Sequence, residues 1–131
     1  MEAKAKLKFR LISGSFAVCR LAAADPVPQW ATNGIFTSVT RTADELSIVC
    51  PAEGVPQEHK PETPWACLKI VGPFDFSQIG ILYAFIQPLV EAGISVFAIA
   101  TYDTDYVLIQ KPSADRAIQV LQSAGHELLS E

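Results

Sequence analysis

The second half of the chain carries the clearer periodicity. Trp65–Val71 is a short apolar run that suits a buried strand. From Ser77 to Ala92 the apolar residues Leu82, Phe85, Ile86, Leu89 and Val90 recur at helical spacing and are expected to face a sheet. Ser77 can cap the start of that helix, and Gly93 can end it in the left-handed conformation. Pro88 stands inside it, where it removes the bond to the carbonyl of Ala84 and predicts a kink. Ile94–Ala100 is apolar and rich in β-branched residues. A turn at Tyr102-Asp103-Thr104 follows, and Tyr106–Gln110 reads as the next strand. A second helix starts at Ser113 with Ala117, Ile118, Leu121 and Ala124 on one face. Gly125 stops it, and His126–Leu129 supplies a last strand. The element order is βαββαβ, an α+β, ferredoxin-like plan with both helices on one face of an antiparallel sheet.

The first half reads mostly as strand. Lys6–Ile12 and Phe16–Leu21 flank Ser13-Gly14-Ser15 and predict a hairpin. Pro26–Ala31 fits one helical turn, and Phe36–Arg41 and Leu46–Cys50 flank Thr42-Ala43-Asp44-Glu45 as a second hairpin. This is the element order of the second half with its helices shortened or lost. Between the halves lies Pro51–Pro64, with Pro51, Pro56, Pro61 and Pro64 and little that could be buried. Proline fixes φ and withdraws a backbone donor, so the stretch reads as an extended connector. The expected division is residues 1–60, a degenerate unit with its connector, and residues 61–131, a complete one.

Composition narrows the functional classes. At 131 residues, half of them hydrophobic and 18% charged, the chain has material for a core. A net charge of −4 argues against nucleic acid, which is held through Lys and Arg contacts to phosphate. No apolar stretch approaches the roughly 20 residues that span a bilayer. Lys4, Lys6, Lys8 and Arg10 ahead of Leu11–Cys19 imitate a secretory signal. Arg20 before the would-be cleavage site and the strand-like alternation of Lys6–Leu11 weigh against one. Cys19, Cys50 and Cys67 are odd in number and have no CxxC spacing, which fits reduced thiols in the cytoplasm. With His59 and His126 they form no close ligand pair of the zinc kind, so neither a metal, a cofactor nor a Cys/His catalytic centre is expected. Trp30 and Trp65 read as packing residues, Trp65 alternatively as the shield of a pocket.

Three segments resemble a known family. Val71-Gly72-Pro73-Phe74-Asp75-Phe76-Ser77-Gln78-Ile79-Gly80-Ile81-Leu82 and Ala92 through Ile109 are similar to the ACT-domain proteins related to aspartate kinase regulatory domains and to the arginine-sensing CASTOR proteins. Arg41 through Pro51 resembles the N-terminal element of small bacterial members of the same group. The resemblance implies a tandem ACT arrangement with a degenerate first unit. It implies a homodimer that holds a small-molecule amino acid at an ACT–ACT seam, and a regulatory or allosteric role rather than catalysis. Ligand contacts carried over by position are Gln78, Ile79, Gly80 and Ile81 at the start of the helix, and Thr101, Tyr102 and Asp105 after the next strand. Ser95 and Val96 would come from the paired unit. Two departures set the chain apart. Ser77 and Gln78 stand where the arginine sensors carry an acidic pair, and there are at most two units where those relatives have four.

The residues admit both functional and plain structural roles. A helix N-terminus exposes about four N–H groups and partial positive charge, which suits a carboxylate. Gly80 leaves room for close approach, or simply lets the helix pack. Asp105 either receives an ammonium or guanidinium group or caps local backbone N–H groups, and Asp103 reads as a turn former. The resulting expectation is a sensor of free amino acids acting on a separate regulated protein. The alternative is a structural dimerisation module with a vestigial pocket.

Overall fold

A computed structural model describes residues 6–72 and 80–130. The chain divides into two compact units. One takes residues up to Ser13 together with Ala66–Glu131, and the other is Gly14–Trp65.

The larger unit realises the βαββαβ order: β4 (Trp65–Ile70), α1 (Ile81–Glu91), β5 (Phe97–Ala100), β6 (Asp105–Gln110), α2 (Ala114–Ser123) and β7 (Glu127–Leu128). The mixed α+β, ferredoxin-like fold expected from the sequence is therefore present. β1 (Lys8–Leu21) opens the chain, and the strand order runs β1-β4-β6-β5. The two-residue β7 pairs in parallel with the start of β1, Lys8 opposite Glu127 and Phe9 opposite Leu128. β5 and β6 are antiparallel, with Phe97 opposite Leu108 and Ala100 opposite Asp105.

Both helices bury their apolar stripes in one core of Leu7, Phe9, Leu68, Ile70, Ala84, Phe85, Leu89, Ile94, Val107, Ile109, Ala117 and Leu121. Phe85 meets Phe9 edge to face, with ring centroids 5.4 Å apart. Val90 departs from expectation and is 59% exposed. At 100° per residue it stands a quarter-turn off the line through Ile81, Phe85 and Leu89, and Ala84 takes the inward place. α1 runs unbroken through Pro88 to Glu91.

The smaller unit also corrects the sequence reading. Ser13-Gly14-Ser15 lies inside one continuous strand rather than at a hairpin turn. The two ends of β1 find different partners, β7 for Lys8–Phe9 and β3 (Leu46–Pro51) for Phe16–Leu21, so nothing folds the strand back on itself. The second expected hairpin is present as β2 (Ser38–Arg41) against β3, closed by the Thr42 N–H donating to the Glu45 carbonyl at 2.9 Å. A 3-10 turn at Gln29–Thr32 covers a core of Ala17, Cys19, Ala31, Leu46, Ile48, Cys50 and Val55. The proline-rich stretch is not a bare extended link. It forms short 3-10 turns at Ala52–Gly54 and Gln57–His59, buries Val55, and stacks His59 on Trp30 with centroids 5.7 Å apart. Pro51 and Pro56 sit just ahead of the two turns, where their fixed φ and missing N–H are no handicap.

Candidate functional site

The end of β4 and the start of β6 are tied together. The Thr104 hydroxyl donates to the Ile70 carbonyl at 2.6 Å and is buried there. β4 thus ends beside the point where Asp105 begins β6, and Gly80 is the residue preceding α1. Gln78 and Ile79 lie outside the described residues, as does Ser77.

Gly80 adopts φ +83°, ψ +8° and is exposed. That left-handed conformation suits glycine, and a Cβ added there would meet nothing within 4 Å. The Gly80 carbonyl accepts from the Ala84 N–H at 2.9 Å and closes the first turn. Having no side chain, Gly80 cannot satisfy the leading N–H groups of α1, and no acidic residue stands in the first turn. Among the described residues no side chain offsets the partial positive charge of the helix start. Ile81 is partly buried and packs its side chain against the core.

On β6 the side chains alternate. Val107 and Ile109 belong to the helix-side core, which places Asp105 on that same face at the strand's entrance. Burial raises the pKa of the Asp105 carboxyl, and no hydrogen-bonding or ion-pairing partner offsets the effect among the described residues.

The remaining expected residues divide. The Thr101 hydroxyl donates to the Thr104 carbonyl at 2.8 Å and accepts from the Thr104 N–H at 3.3 Å, so it is already committed to closing its turn. Tyr102 sits at the tip, 80% exposed. Ser95 and Val96 precede β5, whereas Thr101 follows it. Five residues of extended chain separate Val96 from Thr101 by roughly 16 Å, so one chain does not bring these two groups to one place.

The cysteines are buried. Desolvation pushes the Cys67 thiol up to about 12 and, with the nearby Cys19, the Cys50 thiol up to about 11. All three stay protonated at neutral pH, the unreactive form. Among the described residues no cluster of His, Cys, Asp and Glu suits a metal ion, and no helix is long and apolar enough to cross a membrane.

Sequence reasoning passed over a cleft on the other side of the same sheet end. Lys69, Gly72, Asp103 and Thr104 line a volume of about 190 Å³. Its only signal in the sequence was a lysine among the apolar residues of β4.

The ACT-domain family profile matches residues 61–123, and a second profile, described as an N-terminal domain, matches residues 14–58. The human protein CASTOR3P is 36% identical over 89 residues, which is 58% of this chain and 55% of that protein; the match spans about half of the relative's length. The structure of Atu0741 from Agobacterium tumefaciens superposes with a TM-score of 0.89 at 40% identity, covering 97% of this chain and 95% of that one. The aspartate kinase of Clostridium acetobutylicum, an allosteric enzyme, shares the fold at a TM-score of 0.61 and 12% identity, over 86% of this chain and 33% of that one. On the family match and the βαββαβ architecture together, this chain is an ACT domain-containing protein, with its ACT domain at residues 61–123.

Proposed function

We propose that this chain is a regulatory module, not an enzyme, that binds a free amino acid at the start of α1. Two observations carry the reading: α1 starts from a glycine that offers no side-chain cap, and among the described residues the partly desolvated carboxylate of Asp105 has no hydrogen-bonding or ion-pairing partner. The helix start suits the ligand's carboxylate, and Asp105 suits its ammonium group or a cationic side chain. Gln78, Ile79, Gly80 and Ile81 contribute from the helix start. Thr101 and Tyr102 belong to the turn that leads into β6.

Ser95 and Val96 then come from a second copy, because within one chain they stand at the far end of β5. Two features support a homodimer. β5 closes the strand order, and α1 carries exposed Tyr83 and Val90 on its outer side, 61% and 59% accessible. Residues 61–131 are the working unit in this reading, and residues 1–60 are a shortened ACT-like unit with its connector. The module acts in the cytoplasm. Ligand favours one arrangement of the pair over another, and a separate protein reads the difference.

The test is thermal unfolding with each of the twenty amino acids in millimolar excess. A ligand at a hundredfold excess over its Kd adds about 2.7 kcal/mol to stability. One or two responders are expected, and a flat panel rejects the amino-acid reading.

A further inference from the structure

We infer that the cleft between Lys69 and Asp103 is a second small-molecule site, which takes a compact zwitterion with its acidic end on Lys69 and its cationic end on Asp103.

The cleft lies on the face of the sheet away from the helices. Leu68 and Ile70 point into the helix-side core, so Lys69 between them points to the opposite face. Asp103 reaches the cleft from the turn between β5 and β6. The two opposite charges line one cavity, yet among the described residues they form no ion pair with each other or with another side chain. Opposite charges free to swing together in water gain little by pairing. Charges held apart across a cavity are complementary to a molecule that carries both signs.

The frame that holds them is rigid. The Thr101–Thr104 turn is closed by a backbone bond of 2.8 Å and by both bonds of the Thr101 hydroxyl, and the Thr104 hydroxyl anchors it to the Ile70 carbonyl. Gly72 forms another part of the lining, with no side chain to fill the space. The charge of Asp103 is also felt nearby: burial first, then Cys67, then Asp103 raise the Tyr106 phenol.

Size limits the ligand. The cleft's volume of about 190 Å³ lies below the roughly 300–1,000 Å³ of pockets for drug-sized ligands. A molecule of about six non-hydrogen atoms fits that space, which is the class of glycine, alanine and β-alanine rather than of arginine. The site is distinct from the α1 seat, because Asp105 faces the helices and Lys69 faces away from them.

The experiment is an NMR titration of the full chain with alanine, β-alanine, sodium acetate and methylammonium chloride, following the backbone amides of Gly72, Asp103 and Thr104. Saturable shifts with alanine or β-alanine are expected, and none with acetate or methylammonium at equal concentration. Lys69→Met and Asp103→Asn should each weaken binding about tenfold or more. The double exchange Lys69→Glu with Asp103→Lys should restore it, because a zwitterion can bind end for end, whereas a purely structural role for either residue gives no rescue. Equal shifts with acetate alone, indifference to both neutralising changes, or no shift with either zwitterion would overturn the proposal. The amides of Ile81 and Leu82 report separately on the α1 seat. Gly80→Leu should silence those two and leave the cleft titration intact, so either site can fail without the other.

Discussion

The Nε2–H of His126 donates to the carbonyl of Ala84 at 3.0 Å, and that carbonyl is the one Pro88 leaves without its helical donor. The other ring nitrogen, Nδ1, accepts from the Leu7 N–H at 3.0 Å, which fixes the tautomer with the proton on Nε2. One buried imidazole therefore joins the start of the chain, the first turn of α1 and the end of α2. It also explains how an interior proline is tolerated, since its main electrostatic cost has been met from outside the helix.

Replacing His126 leaves two buried backbone groups unpaired. At about 1–3 kcal/mol for each, His126→Phe should lower stability by roughly 2–5 kcal/mol. In a Pro88→Ala background the loss should be smaller, because residue 88 then offers Ala84 an N–H. Chemical denaturation of the four members of this cycle measures the coupling directly. Additive effects would mean that the imidazole and the proline are unrelated.

The same residue sets a pH dependence. Burial is the main cause that lowers the His126 pKa below its ordinary 6.5; the Ala84 bond opposes it, and the charge of Lys6 adds to it. A depressed histidine binds fewer protons folded than unfolded, so stability is full above about 6.5 and falls as pH drops from there through the lowered value. Protonation also turns Nδ1 into a donor facing the Leu7 N–H. Denaturation midpoints between pH 7.5 and 4.5 should decline in the wild type and decline less in His126→Phe.

Much of this fold was legible because the decisive signals were local. The βαββαβ order followed from apolar spacing, and Gly93 and Gly125 punctuated both helices where the sequence placed them. What was not legible depended on partners distant in the chain. Ser13-Gly14-Ser15 has turn composition, but Lys8–Phe9 pairs with residues near the other terminus and Phe16–Leu21 pairs with β3, so the strand continues. His126 looked like a residue near a helix end, and only the fold sets it beside Ala84. Of the residues the resemblance assigns to a ligand, Gly80 precedes α1 and Asp105 begins β6, whereas the Thr101 hydroxyl is occupied within its own turn. The Lys69–Asp103 cleft needed the β4–β6 pairing before either charge had a context.

Gly34 tests close packing in the smaller unit. A Cβ there would collide with Cγ of Pro51, at a backbone φ of +123° that other residues avoid. Gly34→Ala should therefore cost about 2–5 kcal/mol from combined overpacking and backbone strain. Gly54→Ala, where a Cβ meets nothing within 4 Å, should be close to neutral. Urea midpoints of the two variants give the comparison, and equal effects would contradict the contact with Pro51.

Asp105 offers the sharpest separation of binding from folding. Its carboxyl is held above the ordinary range by burial, with no partner among the described residues to offset the cost. A carboxylate with a raised folded pKa binds more protons folded than unfolded, so it subtracts stability as pH rises from about 3.8 through the raised value, and the loss persists at neutral pH. Asp105→Asn removes that penalty while keeping the shape, so the free protein should melt at the same temperature or slightly higher. If the carboxylate is there to meet a ligand's positive charge, the same substitution should abolish the ligand-induced rise in melting temperature. Function and stability then move in opposite directions, as expected of a site kept desolvated for binding. A fall in the melting temperature of ligand-free Asp105→Asn would instead assign the residue to the fold, as a cap of the turn that precedes β6.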